Sequence, residues 1–257
     1  MYYPKRLITA TMCAYCAFAL SGPAKAEGKA ENDDHISVGV GAVMVEDPFI
    51  DSDTQAYPFP YLSVRQDAFY IEGEEIGLTF DKKLGDIKPS IELFGAARIR
   101  DGRDREKVTA DAGARLSLET DFGTLSAEYR RDITDTFNGG EAIARYSLPI
   151  SMGRLTVTPA LQATWMDRKT TNYLYGITAA QQEKMIDEGR DVILPLSQID
   201  DDALNLGGDL TITFALNDHL TAFSALSGTY LDKSIRNSAA IDQDWEANAA
   251  FGLTYTF

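Results

Sequence analysis

Two histidines, two cysteines and three acidic clusters are the side chains from which chemistry could be built in this chain of 257 residues. His35-Ile36-Ser37 places a base and a hydroxyl two residues apart, on one face of a strand. A Ser–His mechanism also needs an orienting third group and mutual reach. This pair falls at the very start of the first candidate strand, before a cleft could form, so it reads as a polar strand end. His219-Leu220-Thr221 repeats the spacing with threonine for serine, and falls at a turn. Cys13 and Cys16 have the C-x-x-C spacing of redox and metal motifs. Both lie in a segment expected to be removed, which leaves no thiol for a disulfide or a zinc site. The clusters Glu31-Asn32-Asp33-Asp34, Asp51-Ser52-Asp53 and Asp200-Asp201-Asp202 lack the glycine and terminal glutamate of an EF-hand, and read as solvated loops. Gly39 and Gly41 lie inside a strand, where they ease curvature or packing rather than cradle a phosphate. No catalytic residue, cofactor or metal ligand is expected, and the chain is not read as an enzyme.

The ends of the chain indicate its compartment. Lys5 and Arg6 precede an uncharged, mostly apolar run from Leu7 to Leu20, and Ala24-Lys25-Ala26 offers an A-x-A cleavage site. This is the pattern of a secretory signal peptide over 1–26, with cutting after Ala26. The mature domain is then 27–257. With 24 basic against 39 acidic residues the chain carries a net charge of −15, and should repel nucleic acid. No stretch after residue 26 is long and apolar enough for a transmembrane helix. A membrane location therefore requires a closed barrel, the other way to satisfy the backbone in lipid.

Alternation with period two runs through most of the chain. Trp245, Ala247, Ala249, Phe251, Leu253, Tyr255 and Phe257 share one strand face, and Asp244, Glu246, Asn248, Thr254 and Thr256 share the other. The same apolar/polar division recurs over 108–119, 155–165 and 204–216. These runs match the roughly 9–11 residues that cross a bilayer at a tilt. Tight turns at Asp121-Phe122-Gly123, Ser151-Met152-Gly153 and 216–219 alternate with longer links near 46–56, 101–106, 134–140, 168–202 and 232–243. The expected fold is all-β: a single transmembrane antiparallel β-barrel with short periplasmic turns and longer extracellular loops. Ten strands read directly. A hairpin over 68–80 turning at Gly73 would make twelve, the preferred number, with ten as the alternative. Glu92, Arg98, Asp111, Arg115, Glu119, Glu128, Arg130, Asp132, Arg145 and Asp209 should face the lumen, as a salt-bridged filling or as a pore lining. Residues 178–190 predict a short helix inside the longest loop.

The last residues, Gly252-Leu253-Thr254-Tyr255-Thr256-Phe257, resemble the signal read by the barrel assembly machinery, with Gly252, Tyr255 and Phe257 in the diagnostic places. The chain as a whole resembles the MipA/OmpV family of outer-membrane proteins. The carrying features are Val38-Gly39-Val40-Gly41-Ala42, Pro58-Phe59-Pro60-Tyr61, Gly102-Arg103-Asp104 and Tyr173-Leu174-Tyr175-Gly176-Ile177-Thr178, followed by the Tyr-Thr-Phe end. Ser52-Asp53 after the acidic first loop departs from the family's usual pattern. The resemblance implies a scaffold in contact with outer-membrane lipid and lipopolysaccharide, docking a lytic transglycosylase and a penicillin-binding protein for peptidoglycan synthesis. Porin-like and adhesin-like members imply the alternatives: a small-solute or ion pore, or an adhesin using the 168–202 loop.

Overall fold

The computed structural model describes residues 34–50, 52, 54–98 and 109–257. The cleavage residues Ala24 and Ala26 and the Gly102-Arg103-Asp104 motif lie outside them. The strands are β1 (His35–Glu46), β2 (Gln55–Gln66), β3 (Phe69–Glu72), β4 (Glu75–Asp81), β5 (Lys88–Arg98), β6 (Thr109–Thr120) and β7 (Gly123–Asp132), then β8 (Gly140–Ser147), β9 (Ile150–Met152), β10 (Leu155–Met166), β11 (Ala203–Ala215), β12 (Leu220–Tyr230) and β13 (Trp245–Thr256). All pairings are antiparallel, and β13 returns to β1 with Ser37 opposite Thr256 and Glu46 opposite Ala247. The sheet therefore closes and leaves no terminal edge.

Segments β8 and β9 both pair with β10, so they form one strand and the barrel has twelve. The break at Leu148-Pro149 faces Pro159 on β10. Neither proline can donate to the ladder, and the Leu148 N–H to Pro159 carbonyl bond, 3.0 Å, holds the two halves in line. The expected 68–80 hairpin is present as β3 and β4, with Glu72 opposite Glu75 and Gly73 at φ 57°.

Side chains follow the alternation. On β13 Trp245 and Phe251 are each 55% exposed, while Glu246 and Ala250 between them are 7% and 2% exposed. Large apolar side chains on the outside and polar ones inside invert a soluble protein and suit a wall bathed in lipid. Glycine lets aromatic rings lie against the inner wall. A Cβ on Gly41 would sit 2.7 Å from the Phe59 ring, and one on Gly252 would sit 2.6 Å from the Phe223 ring.

The long loops gather at one end and the short turns at the other, the periplasmic end in this architecture. The 167–202 loop contains α1 (Arg168–Tyr175) as well as the expected helix, α2 (Ala179–Asp187); α3 (Lys233–Arg236) lies in the 231–244 loop. Thr178 and Gln181 cap α2 reciprocally, and Gly189 follows it at φ 63°. Strand β10 ends at Met166, because Asp167 turns the chain by accepting the Thr170 N–H at 2.8 Å. These loops share a core of Phe49, Met166, Leu174, Tyr175, Ile177, Met185, Leu194, Ile199, Ala203, Leu231, Ile235, Ala240 and Ile241. They form a folded cap over the extracellular mouth.

Candidate functional site

The lumen divides into an ionic half and an aromatic half. Antiparallel pairing sets Glu92 on β5, Arg115 on β6 and Glu128 on β7 side by side on the inner face. Arg115 spends its fork on them: Nη1 lies 2.5 Å from Glu92, Nε 2.7 Å from Glu128, and Nη2 3.0 Å from Glu75 on β4. Arg98 holds Asp111 at 2.6 Å and Glu141 at 3.1 Å. Arg130 is ion-paired with Glu128 at 2.9 Å and Glu141 at 3.2 Å. Arg145 reaches across β10 to grip both oxygens of Asp209. Tyrosines extend the network, with the Tyr61 hydroxyl donating to Glu72 at 3.1 Å and the Tyr70 hydroxyl to Glu75 at 2.5 Å.

Eight of the ten expected inward charges therefore join these ion pairs. Two differ. Glu119 lies exposed at the periplasmic end of β6. Asp132 closes the 133–139 loop, accepting from the N–H groups of Thr134, Phe137 and Asn138. Glu141 escaped the sequence reading although Glu141, Ile143 and Arg145 alternate. Glu75 was missed because its face depends on hairpin register. Mutual pairing of opposite charges is the salt-bridged filling, since buried ions are tolerated when their partners are in place.

The opposite side, on β1, β2, β12 and β13, packs Val43, Phe59, Tyr61, Phe223, Ala225 and Ala250. Phe59 and Phe223 lie with ring centroids 6.3 Å apart at 46°. From above, the Tyr175 hydroxyl of the cap donates to Glu246 on the inner wall at 3.1 Å, with Tyr175 completely buried.

The sequence-proposed chemical pairs do not assemble as such. The His35 ring nitrogen Nε2 lies 3.4 Å from Ser63 rather than meeting Ser37, whose hydroxyl is 2.7 Å from that of Thr256. His219 packs on Tyr255 with centroids 5.6 Å apart and contacts the Thr256 carbonyl through Nδ1 at 2.9 Å, fastening the last strand. Tyr255 also meets Phe257 edge-on at 5.1 Å.

Above the barrel, Asp167, Asp200, Asp201, Asp202, Asp232, Arg131, Arg168 and Lys233 line an open cleft. Its carboxylates tie loops together. Asp202 accepts the Arg168 N–H at 2.8 Å, and Asp167 accepts the Gly140 N–H at 2.9 Å. Burial, the largest single influence on the Asp232 carboxyl, would raise its pKa. The Ser234 and Leu204 N–H groups, the Ser234 hydroxyl and nearby Arg236 together outweigh it and hold the carboxyl below its usual range.

Among solved structures, the loop-deleted OmpT of Vibrio cholerae, an outer membrane protein, aligns with a TM-score of 0.44 at 5% identity over 88% of this chain and 100% of that one. A likeness that loose adds nothing to the fold described above. The MltA-interacting protein of Escherichia coli strain K12 is 25% identical over 247 residues, 92% of this chain and 94% of that protein. YiaT of Escherichia coli O157:H7, described by its name as an outer membrane protein, is 25% identical over 239 residues, 86% of this chain and 91% of that protein. The family of the MltA-interacting protein MipA matches residues 38–257, so this closed twelve-stranded barrel is an outer-membrane protein of the MipA family.

Proposed function

We propose that the chain is a non-catalytic scaffold that docks murein-remodelling enzymes, a lytic transglycosylase first and a penicillin-binding protein with it, at the periplasmic end of the barrel. The observation that carries this reading is family membership over 38–257, together with a relative named for its interaction with MltA. The contact would fall among the periplasmic turns. Most periplasmic turns are two residues long, but 82–87, Lys82-Lys83-Leu84-Gly85-Asp86-Ile87, stands out as a wider loop. It holds its own shape through reciprocal backbone bonds between Leu84 and Ile87, and it leaves those side chains 49% and 41% exposed. Rigid apolar side chains at the centre of a contact carry most of its free energy.

The test is a titration of the refolded barrel in lipid vesicles with a purified MltA-type transglycosylase from the same cell. Saturable binding is expected, and Leu84→Asp together with Ile87→Asp should weaken it at least tenfold. Deleting 179–190 from the cap should leave it unchanged. Absence of binding, combined with stable ion-selective conductance steps in a planar bilayer, would replace the scaffold with the pore.

A further inference from the structure

The lumen changes character below its ion pairs. One inward position nearer the periplasm than Glu92, Arg115 and Glu128 stand Ser90, Ser117 and Ser126, set side by side by the same pairing of β5, β6 and β7. The pattern continues around the wall. Ser147 is the next inward position after Arg145 on β8, and Thr213 lies beyond Asp209 on the inner face of β11. Between them Thr158 of β10 faces Thr211. A belt of hydroxyls, with no charge among these positions, therefore lines the periplasmic half of the barrel.

Exposure separates this belt from the filling above it. Deeper in the lumen Phe94, Glu128, Arg130 and Phe223 are at most 6% exposed. Ser90, Ser117, Ser126, Ser147, Thr158 and Thr213 point the same way, yet each is only half-buried. Inward side chains that still reach solvent line an open vestibule. It is entered from the periplasm, because only short turns stand at that end while the long loops cover the other. Groups that merely fill a lumen pair with one another, as the arginines and acids do. Among the described residues, none of these six hydroxyls has a hydrogen-bond partner in the protein. Their donors and acceptors are free to meet a ligand.

We infer that this vestibule is a binding site for a neutral oligosaccharide entering from the periplasm. A serine or threonine hydroxyl both donates and accepts, and so does each hydroxyl of a sugar, so the belt matches a polyhydroxylated chain at many positions at once. A charged ligand finds little counter-charge here, since Arg115, Arg130 and Arg145 are committed to acids of the wall. An extended peptide would seek a free strand edge for its backbone, and the closed sheet offers none. The site is independent of the 82–87 loop, because it lies inside the barrel.

The experiment uses the full barrel in detergent micelles, which leave the periplasmic end accessible, and chitotetraose, an uncharged N-acetylated sugar tetramer. Calorimetric titration should show saturable binding. The fully deacetylated tetramer keeps the ring hydroxyls but carries an ammonium on every ring, and should bind at least tenfold more weakly. Combining Ser90→Ala, Ser117→Ala and Ser126→Ala should also weaken chitotetraose at least tenfold. No hydrogen bond within the protein is lost in that variant, so its urea unfolding should match the parent's. Ser224→Ala, on the lipid face opposite Phe251, should bind as the parent does. No binding by the parent, undiminished binding by the triple variant, or a deacetylated tetramer that binds as tightly as chitotetraose would each overturn the site. The transglycosylase titration is a separate measurement, so failure of the sugar site and failure of the docking reading are told apart.

Discussion

The extracellular cap and the ionic half of the barrel lumen are both buried, yet they are built from opposite materials. The cap core is apolar, with Leu174, Tyr175, Met185, Leu231 and Ile235 at most 2% exposed. It is assembled from loops distant in sequence, as in a water-soluble domain. The lumen places arginines and carboxylates against one another, with Arg115 serving three acids. The difference follows from what lies outside each. The cap faces water and gains by removing apolar surface from it. The wall faces lipid, so apolar side chains are already satisfied outside, and in the ionic half the interior is left to polar groups that must satisfy each other. Stability in the cap therefore spreads over many contacts, whereas in the lumen it is concentrated in a few charges.

The largest expected effect breaks that concentration. Arg115→Ala leaves Glu75, Glu92 and Glu128 without their shared cation, and should destabilise the barrel by about 3–5 kcal/mol. Urea unfolding in lipid vesicles measures this, and replacing the three acids by glutamine in the same variant should recover much of the loss. Leu174→Ala removes a comparable amount, about 2–5 kcal/mol, but from the cap. Hydrogen exchange should then accelerate in 167–202 and 231–244 while β5, β6 and β7 keep their protection. Exchange rising equally in the strands would mean that cap and barrel unfold as one unit.

Smaller effects probe where the two regions meet. Tyr175→Phe removes the donor to Glu246 and leaves that carboxylate buried without it, at about 1–3 kcal/mol. Its effect should appear in both the cap and β13. The smallest effect concerns acidity. The folded pKa of Asp232 lies below its ordinary value, so its contribution is complete above the ordinary aspartate range and is lost as pH falls through the folded value. Proteolysis of the 231–244 loop should increase on acidification. Asp232→Asn, which keeps a capping oxygen, should flatten that dependence.

Strand faces were legible because alternation is local. Glu92, Arg115 and Glu128 could be placed inward from β5, β6 and β7 separately, and antiparallel pairing then made them neighbours. The helix over 179–187 was legible through Thr178 at its start, the run of helix formers after it and Gly189 at its end. Two other helices were missed although Asp167 and Asp232 mark their starts, because each follows so closely on a strand that the strand pattern masked the cap. The interruption at Leu148-Pro149 also had a local sign in Pro149 and Pro159, which acquires meaning only when the two prolines are known to face each other.

What the sequence determined by itself was the periodicity: which side chain of each strand meets lipid, which meets the lumen, and where the chain turns. Those depend on residue order over a few positions. Only the tertiary structure decided that Arg115 would serve acids on three other strands and that three loops would pool their apolar residues into one cap. Each depends on register and on contacts between residues far apart in the chain, and a one-residue slip in pairing would turn every affected side chain to the other face.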